Sequence, residues 1–339
     1  MASLDYQSLM NDVLLYFHVS MRGLAMKLME VLKEKYLTPE KPGIRYRSVR
    51  LMDDIKWEKF SDGWPKLFIN NVDKVKGRDV LFLASFHTPD AMFEQLSILY
   101  SMPKYLANSF VVILPLFTTG TMERIDKEGQ IATAKVLASL LSAIPLTTRG
   151  PPQIVIFDIH ALQERFYFSD NVIPRLETAI PLLNQVLSSR ADRGKISIAF
   201  PDEGALKRFG HQLIDWPIIT CTKVREGNHR IVTVTEGDPT GRHVVIVDDL
   251  VMTGGTLIEC SKGLLKNGAV TISLYVTHAI FPNDSWKRFL PDKCEIKFDN
   301  FWITDSLPTS DDIAKHPPFR ILSLSERIAE SLLSYDLRF

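Results

Sequence analysis

The sequence predicts an α/β protein of two similar domains, each a mainly parallel sheet flanked by helices. Three observations predict it. Short apolar, β-branched runs alternate with amphipathic helical patterns along the whole chain, which is the signature of parallel strands joined by helical crossovers. The chain has 339 residues, more than one average domain. Finally, one order of parts occurs twice: VVILPL, a polar loop, a helix and IVIFDIH in the first half; VVIVDD, a loop, a helix and SLYVTHAI in the second. A duplication explains this, and so does the self-similarity of any βαβ protein.

In chain order, VLLYFH reads as a strand and SMRGLAMKLMEVLKEKY as a helix. DVLFLASF, FVVILPL and QIVIFDIH are strands, separated by the helices PDAMFEQLSILYSM and IATAKVLASLLSAI. Residues 174–193 read as a crossing between halves, giving domains 1–173 and 174–339, with the last helix expected to pack back on the first. KISIAFPD, PIITCTKV, RIVTVTE, HVVIVDD and AVTISLYVTH are strands of the second domain. The helix GTLIECSKGLLKNG stops at Asn267-Gly268. The first 40 residues carry a helix pattern and no functional motif.

Composition narrows the function. Apolar residues are 45% and charged residues 24%, enough for an ordinary core in each domain. The formal net charge is zero, which disfavours nucleic acid held on a broad basic face. Three cysteines without a CxxC pair fit a reduced, cytoplasmic protein. No leader pattern and no bilayer-length apolar run is present.

HVVIVDDLVMTGGTL carries the chemistry. In open α/β sheets ligands bind at the carboxyl ends of strands, and here a strand ends in Asp248 and Asp249. Thr253, Gly254, Gly255 and Thr256 then open a helix. Backbone N–H groups and two hydroxyls at a helix start can surround a phosphate. The carboxylates would repel phosphate, so they serve another part of the ligand, and paired ribose hydroxyls suit them. Phosphate at one end and a diol at the other describe ribose 5-phosphate. The blander alternative is a capping pair followed by a turn.

VVIVDDLVMTGGT resembles the phosphoribosyl-diphosphate (PRPP) binding motif shared by phosphoribosyltransferases and ribose-phosphate diphosphokinases. DIHALQERF, FSDGWPKLFIN, AFPDEGALKRF, CTKVREGNHRIV and FWITDS are similar to the diphosphokinases, especially the plant-type, or class II, enzymes. The resemblance covers nearly the whole chain. It implies two phosphoribosyltransferase-type (type I) domains and transfer of the β,γ-diphosphoryl group of ATP to ribose 5-phosphate, giving PRPP and AMP. It implies Mg²⁺, a homo-oligomer of open size, and a site between domains that draws on a second subunit. Lys223 and Arg225 are the implied catalytic cations. His160 contacts Mg²⁺ or ATP, with Asp158 a second participant, and Asp202 lies near ribose 5-phosphate and a second metal. Phe60 and Asp62 hold adenine; a plain Asp-Gly turn is the alternative for them, as a turn aspartate is for Asp202. Thr121 and Met122 replace the Arg-Gln pair usual in class I, leaving Arg124 as the nearest cation; Trp64 and Met252 replace two further acids. A phosphoribosyltransferase would leave TKVRE and DIHA without a role. A non-catalytic associated protein would have lost the residues that are present here.

Overall fold

The computed structural model describes residues 12–37, 45–226 and 229–338. The chain divides into two units. The first runs to Glu177 and resumes at Leu324, and the second is Thr178–Ser323. No helix among the described residues is long and apolar enough to cross a membrane.

In the first unit, β1 (Val13–Phe17) is buried at every position and leads into α1 (Arg22–Leu37). After β2 (Val49–Met52), β3 (Ile55–Lys59) and β4 (Pro65–Ile69) form a separate antiparallel hairpin. There follow β5 (Asp79–Leu83), α2 (Pro89–Ser101), β6 (Ser109–Ile113), α3 (Thr133–Ser142), β7 (Gln153–Phe157) and β8 (Ile173–Glu177). Helix α2 starts where it does for a local reason. The Thr88 hydroxyl accepts from Ala91 N–H at 3.1 Å, and Pro89 opens the first turn. The six-stranded sheet has the order β2-β1-β5-β6-β7-β8, every pairing parallel. Because β8 completes this sheet, the division of the chain follows it, whereas the sequence placed the boundary at 173/174.

The second unit holds α4 (Ile180–Ser188), β9 (Ile196–Phe200), α5 (Glu203–Phe209), β10 (Ile218–Glu226), β11 (His229–Glu236) and β12 (His243–Val251). After these come α6 (Gly255–Lys266), β13 (Thr271–Ala279), β14 (Phe298–Thr304), α7 (Ser310–Ile313) and β15 (Phe319–Leu322). Its sheet runs β11-β10-β9-β12-β13-β14-β15, parallel except for β10 with β11. Helix α6 buries Leu257, Ile258, Cys260, Ser261 and Leu264, a single helical face. His243 to Val247 of β12 are all buried, as a central parallel strand requires.

Without β11, the two sheets share one order, and each reverses direction between its first strand and the strand that returns beside it. The repeat is offset from the one read in the sequence, which matched β6 to β12. By position in the sheet the counterpart of β12 is β5. Composition misled: β6 and β12 are both valine-rich, whereas β5 carries Leu81, Phe82 and Leu83.

The first unit closes with α8 (Ser325–Tyr335), which packs on α1. Arg175 on β8 donates to Asp336 at 2.8 Å and to the Ser331 hydroxyl at 2.6 Å, and its guanidinium lies 4.5 Å from the Tyr335 ring centre. Burial pushes the Asp336 carboxyl above its ordinary range even with Arg175 beside it. Arg175→Met should destabilise the protein by about 3 kcal/mol, the usual effect of leaving one partner of a buried pair alone. A carboxyl with a raised folded pKa contributes stability that is lost as pH rises. The deficit should therefore grow with pH and shrink as Asp336 takes up a proton. Denaturant melts of both proteins across pH measure it.

Candidate active site

Strand β9 ends at Phe200 and β12 runs on through Asp248 and Asp249, and the two strands are parallel neighbours at the point where the second sheet reverses. That juxtaposition brings Asp202, Asp248 and Asp249 together. Asp202 caps α5, its carboxylate accepting from Ala205 N–H at 3.1 Å, so its local role is a helix cap and not the turn weighed for it from the sequence. Asp249 is buried; its carboxylate accepts from Leu250 N–H at 2.9 Å, and that of Asp248 accepts from Asp249 N–H at 3.0 Å. Burial pushes the half-buried Asp248 carboxyl well above its ordinary range, and the neighbouring charges of Asp249 and then Asp202 push it further.

An acid held in this way destabilises the empty protein and is relieved by a hydrogen-bond donor or a cation. Asp248→Asn should raise the stability of the ligand-free protein by about 1 kcal/mol, the gain typical of relaxing a strained functional site. Asp248 contributes stability at low pH that is lost as pH rises, so the gain should be larger at about pH 8 than at about pH 5. The same variant, more so with Asp249→Asn, should weaken ribose 5-phosphate binding through lost charge-assisted hydrogen bonds. Thermal melts and calorimetry report the two effects; unchanged stability and unchanged affinity together would assign the acids to capping.

Beyond the acids, Gly254 sits immediately before α6 with φ +78°. A Cβ there would lie 2.4 Å from the ring of Phe289. Phe289 is buried in an aromatic cluster, its ring centre 5.0 Å from that of Phe301 and 5.8 Å from that of Phe281. Arg288 donates to the Thr253 carbonyl at 2.7 Å, and the Ser285 hydroxyl donates to that of Met252 at 3.0 Å. The Thr253–Thr256 loop is therefore seated on one kinked segment, Pro282–Phe289. None of these supporting residues was legible in the sequence, since they lie more than thirty positions downstream with no periodic signal. Gly255 has open space where a Cβ would point.

Lys223 and Arg225 occupy β10 opposite Val232 and Arg230. Among the described pairings, β10 meets β9 only from Ile218 to Thr220, and its outer residues pair with β11 alone. The two cations thus stand on an arm of two strands that extends past the sheet. Their side chains lie outside the described residues.

The remaining candidates belong to the first unit. Asp158 is buried at the carboxyl end of β7, with φ +40°, and His160 is exposed two residues on. A left-handed aspartate is strained, and such strain gathers at functional sites. Gly120 faces this turn: a Cβ there would lie 3.5 Å from both the Glu164 carboxylate and the His160 Cβ. The segment with Thr121, Met122 and Arg124 is thereby beside His160. The exposed Arg124 has Asp126 at 3.7 Å and Glu123 at 3.9 Å. Phe60 and Asp62 are at the tip of the β3–β4 hairpin, beside the first turns of α2, where Lys59 meets Asp90 at 3.3 Å and the Trp64 ring centre lies 5.6 Å from that of Phe93. Asp62 accepts from Trp64 N–H at 3.2 Å, which makes the segment a formed turn with Phe60 exposed.

Asp158 and His160 lie in one unit and Asp202 in the other. Among the described residues no three His, Cys, Asp or Glu side chains converge as a metal site. One or two carboxylates with an imidazole nearby fit Mg²⁺, which keeps most of its shell as water and phosphate oxygen.

Residues 23–144 match the family described as the N-terminal domain of ribose phosphate pyrophosphokinase, and residues 168–310 match the phosphoribosyl transferase domain. Over 282 residues the chain is 55% identical to ribose-phosphate pyrophosphokinase 3, mitochondrial, of Spinacia oleracea, covering 82% of this chain and 70% of that protein. It is 54% identical over 285 residues to the chloroplastic ribose-phosphate pyrophosphokinase 3 of Arabidopsis thaliana, covering 82% and 69%. In fold it is similar to the phosphoribosylpyrophosphate synthetase of Mycobacterium smegmatis, with a TM-score of 0.77 at 20% identity, covering 95% of this chain and 97% of that one.

Proposed function

The chain belongs to the ribose-phosphate pyrophosphokinase family, and from that premise we propose how its own residues divide the reaction. The enzyme transfers the β,γ-diphosphoryl group of ATP to the anomeric oxygen of ribose 5-phosphate, and the products are PRPP and AMP. The observation that carries the assignment of roles is the cluster of Asp202, Asp248 and Asp249 next to the Gly254 loop, at the reversal point of the second sheet.

Asp248 and Asp249 accept from the ribose hydroxyls, which relieves the repulsion between them. Thr253, Gly254, Gly255 and Thr256 enclose the 5-phosphate with backbone N–H groups and hydroxyls. The sugar is then fixed at both ends, with its anomeric hydroxyl free to attack. This chemistry needs positioning and charge neutralisation more than a covalent nucleophile. Lys223 and Arg225 on the β10 arm meet the diphosphoryl oxygens and the charge that develops on the departing AMP. Phe60 stacks on the base, Asp62 accepts from its amino group, and His160 and Arg124 face the phosphates. Asp158 with His160 would hold one Mg²⁺ and Asp202 a second, and the metal when bound neutralises phosphate charge. We propose a homo-oligomer, supported by the exposed aromatic side chains Phe60, Trp64 and Phe68 on the hairpin. A cytoplasmic location is proposed on the three free cysteines, beside relatives named mitochondrial and chloroplastic; cell fractionation decides between them.

Release of AMP from ATP, ribose 5-phosphate and Mg²⁺ is the direct test, and its absence would sink the reading. The donor is expected to be loosely specified. Thr121 and Met122 supply no charge to the nucleotide, and stacking on Phe60 tolerates any base. Values of kcat/KM with GTP, CTP or UTP should lie within about a hundredfold of ATP, a gap of roughly 3 kcal/mol or less, and activity should not need added phosphate. Strict ATP dependence would mean that Asp62 or Arg124 restores selectivity.

A further inference from the structure

Arg208 lies on α5, the helix that Asp202 caps, and is half-buried. Its Nε and Nη1 are shut off from solvent, yet neither has a hydrogen-bond acceptor among the described residues. Other arginines that reach into the protein are matched: Arg47 to Asp79 at 2.6 Å, Arg175 to Asp336 at 2.8 Å, Arg190 to Asp192 at 2.7 Å and Arg242 to the Ile196 carbonyl at 2.8 Å. The acids closest to Arg208 along the chain are engaged elsewhere. Glu203 meets Lys207 at 3.2 Å, and Asp202 accepts from Ala205 N–H. A guanidinium withdrawn from water without a partner is costly, and a bound anion removes that cost.

The helix sets where the side chain goes. Long helical side chains run back toward the N-terminus, over the residues three and four positions earlier. For Arg208 these are Ala205 and Gly204, so the side chain runs toward Asp202 at the carboxyl edge of β9. Helices α5 and α6 lie on opposite faces of the second sheet: Ala205 and Phe209 pack with Val245 and Val247 of β12, whereas Leu257 and Ile258 pack with Val244 and Ile246. A ribose 5-phosphate held by Asp248 and Asp249, with its 5-phosphate in the loop that opens α6, turns its anomeric end toward the α5 face. We propose that Arg208 is a further catalytic residue, whose guanidinium receives the β,γ-diphosphoryl group at the anomeric position. This deepens the proposed function and rests on it. In the transfer the anomeric oxygen bonds to the β-phosphorus, and the bond from that phosphorus to the α-phosphate oxygen breaks. AMP leaves with the electron pair, and the hydroxyl proton passes to solvent. Arg208 forms no covalent bond; its planar fork matches two oxygens of the group and offsets their charge. Because nothing holds Nε and Nη1 in the ligand-free protein, turning the side chain toward the edge breaks no hydrogen bond. Lys223 and Arg225 act from the β10 arm, whereas Arg208 acts from a helix packed on β9, β10 and β12.

PRPP differs from ribose 5-phosphate by the diphosphoryl group alone, so calorimetry of the full chain with each ligand isolates the contact. In Arg208→Gln, PRPP affinity should fall by about tenfold or more through a lost charge-assisted pair, with ribose 5-phosphate affinity unchanged within about twofold. The kcat should fall by about a hundredfold. Arg208→Lys keeps the charge but not the fork and should recover part of both losses. Thermal melts of the ligand-free proteins separate this role from a structural one. Removing an unpartnered cation should leave Tm unchanged or raise it, whereas removing half of an internal pair lowers it. A lowered Tm in both variants would reveal a partner within the protein and overturn the proposal. Equal losses for PRPP and ribose 5-phosphate would overturn it too, as would no loss for either. A wild-type protein that binds neither ligand and releases no AMP would instead overturn the proposed function itself.

Discussion

Gly254→Ala should all but abolish activity while Gly255→Ala is tolerated far better, although the two glycines are adjacent. At Gly254 the new methyl group would lie 2.4 Å from the Phe289 ring, in a backbone with φ +78° that L side chains rarely adopt. Phe289 is buried against Phe281, Phe298 and Phe301 and has little room to retreat, so the loop must move instead. Forcing extra volume into a packed site destabilises by about 1–3 kcal/mol. The larger effect is on catalysis, because a displacement of about 1 Å in a positioning element can lower rate about a hundredfold. We expect kcat/KM for ribose 5-phosphate to fall by about that factor or more, with a lowered Tm. At Gly255 a Cβ meets open space and the backbone is ordinary, so Tm should hold. Kinetics and thermal melts of both variants check this, and indistinguishable variants would show that Phe289 does not support the loop.

Lys223→Ala and Arg225→Ala should each lower kcat by about a hundredfold or more, the usual result of losing one transition-state donor, with little change in ribose 5-phosphate affinity. The split follows from where the residues stand. They belong to the outer part of β10, which pairs with β11 alone, whereas Asp248 and the Gly254 loop are built on the central strand β12 and the helix after it. A group on the arm can act on the diphosphoryl group without contributing to the sugar pocket. Steady-state kinetics with calorimetry separate the two quantities. Near-normal turnover in both variants would remove the cations from catalysis, and a loss confined to KM would make them binding residues.

The readable parts of this chain were those where one physical signal dominates. Strands β1, β5, β6, β7, β9, β12 and β13 are apolar runs buried inside parallel sheets, and they stand out. Strands β2, β8 and β15 do not, because they lie at or near sheet edges and carry Arg50, Arg175 and Arg320. The β3–β4 hairpin mixes lysine and glutamate with aromatics and is separate from the main sheet, so its sequence reads as loop. Helix α4 begins at Ile180-Pro181 within a stretch that reads as a crossing. The same contrast holds for the site. Asp248, Asp249 and the Thr253–Thr256 loop are contiguous and legible, whereas Arg288 and Phe289, which hold the loop, are distant in sequence and are identified by geometry alone.

Helix α8 and Asp336 follow the second unit in the chain yet complete the first, through α1, Arg175 and Glu177. On a ribosome the strands of the first unit would wait until the whole second unit had emerged before α8 could close them, while the unit encoded between could already be finished. Premature termination just after Ser323 would therefore damage the half of the molecule made first and spare the half made second. The nascent chain would expose the α8-binding face of α1 for as long as the second unit was being made.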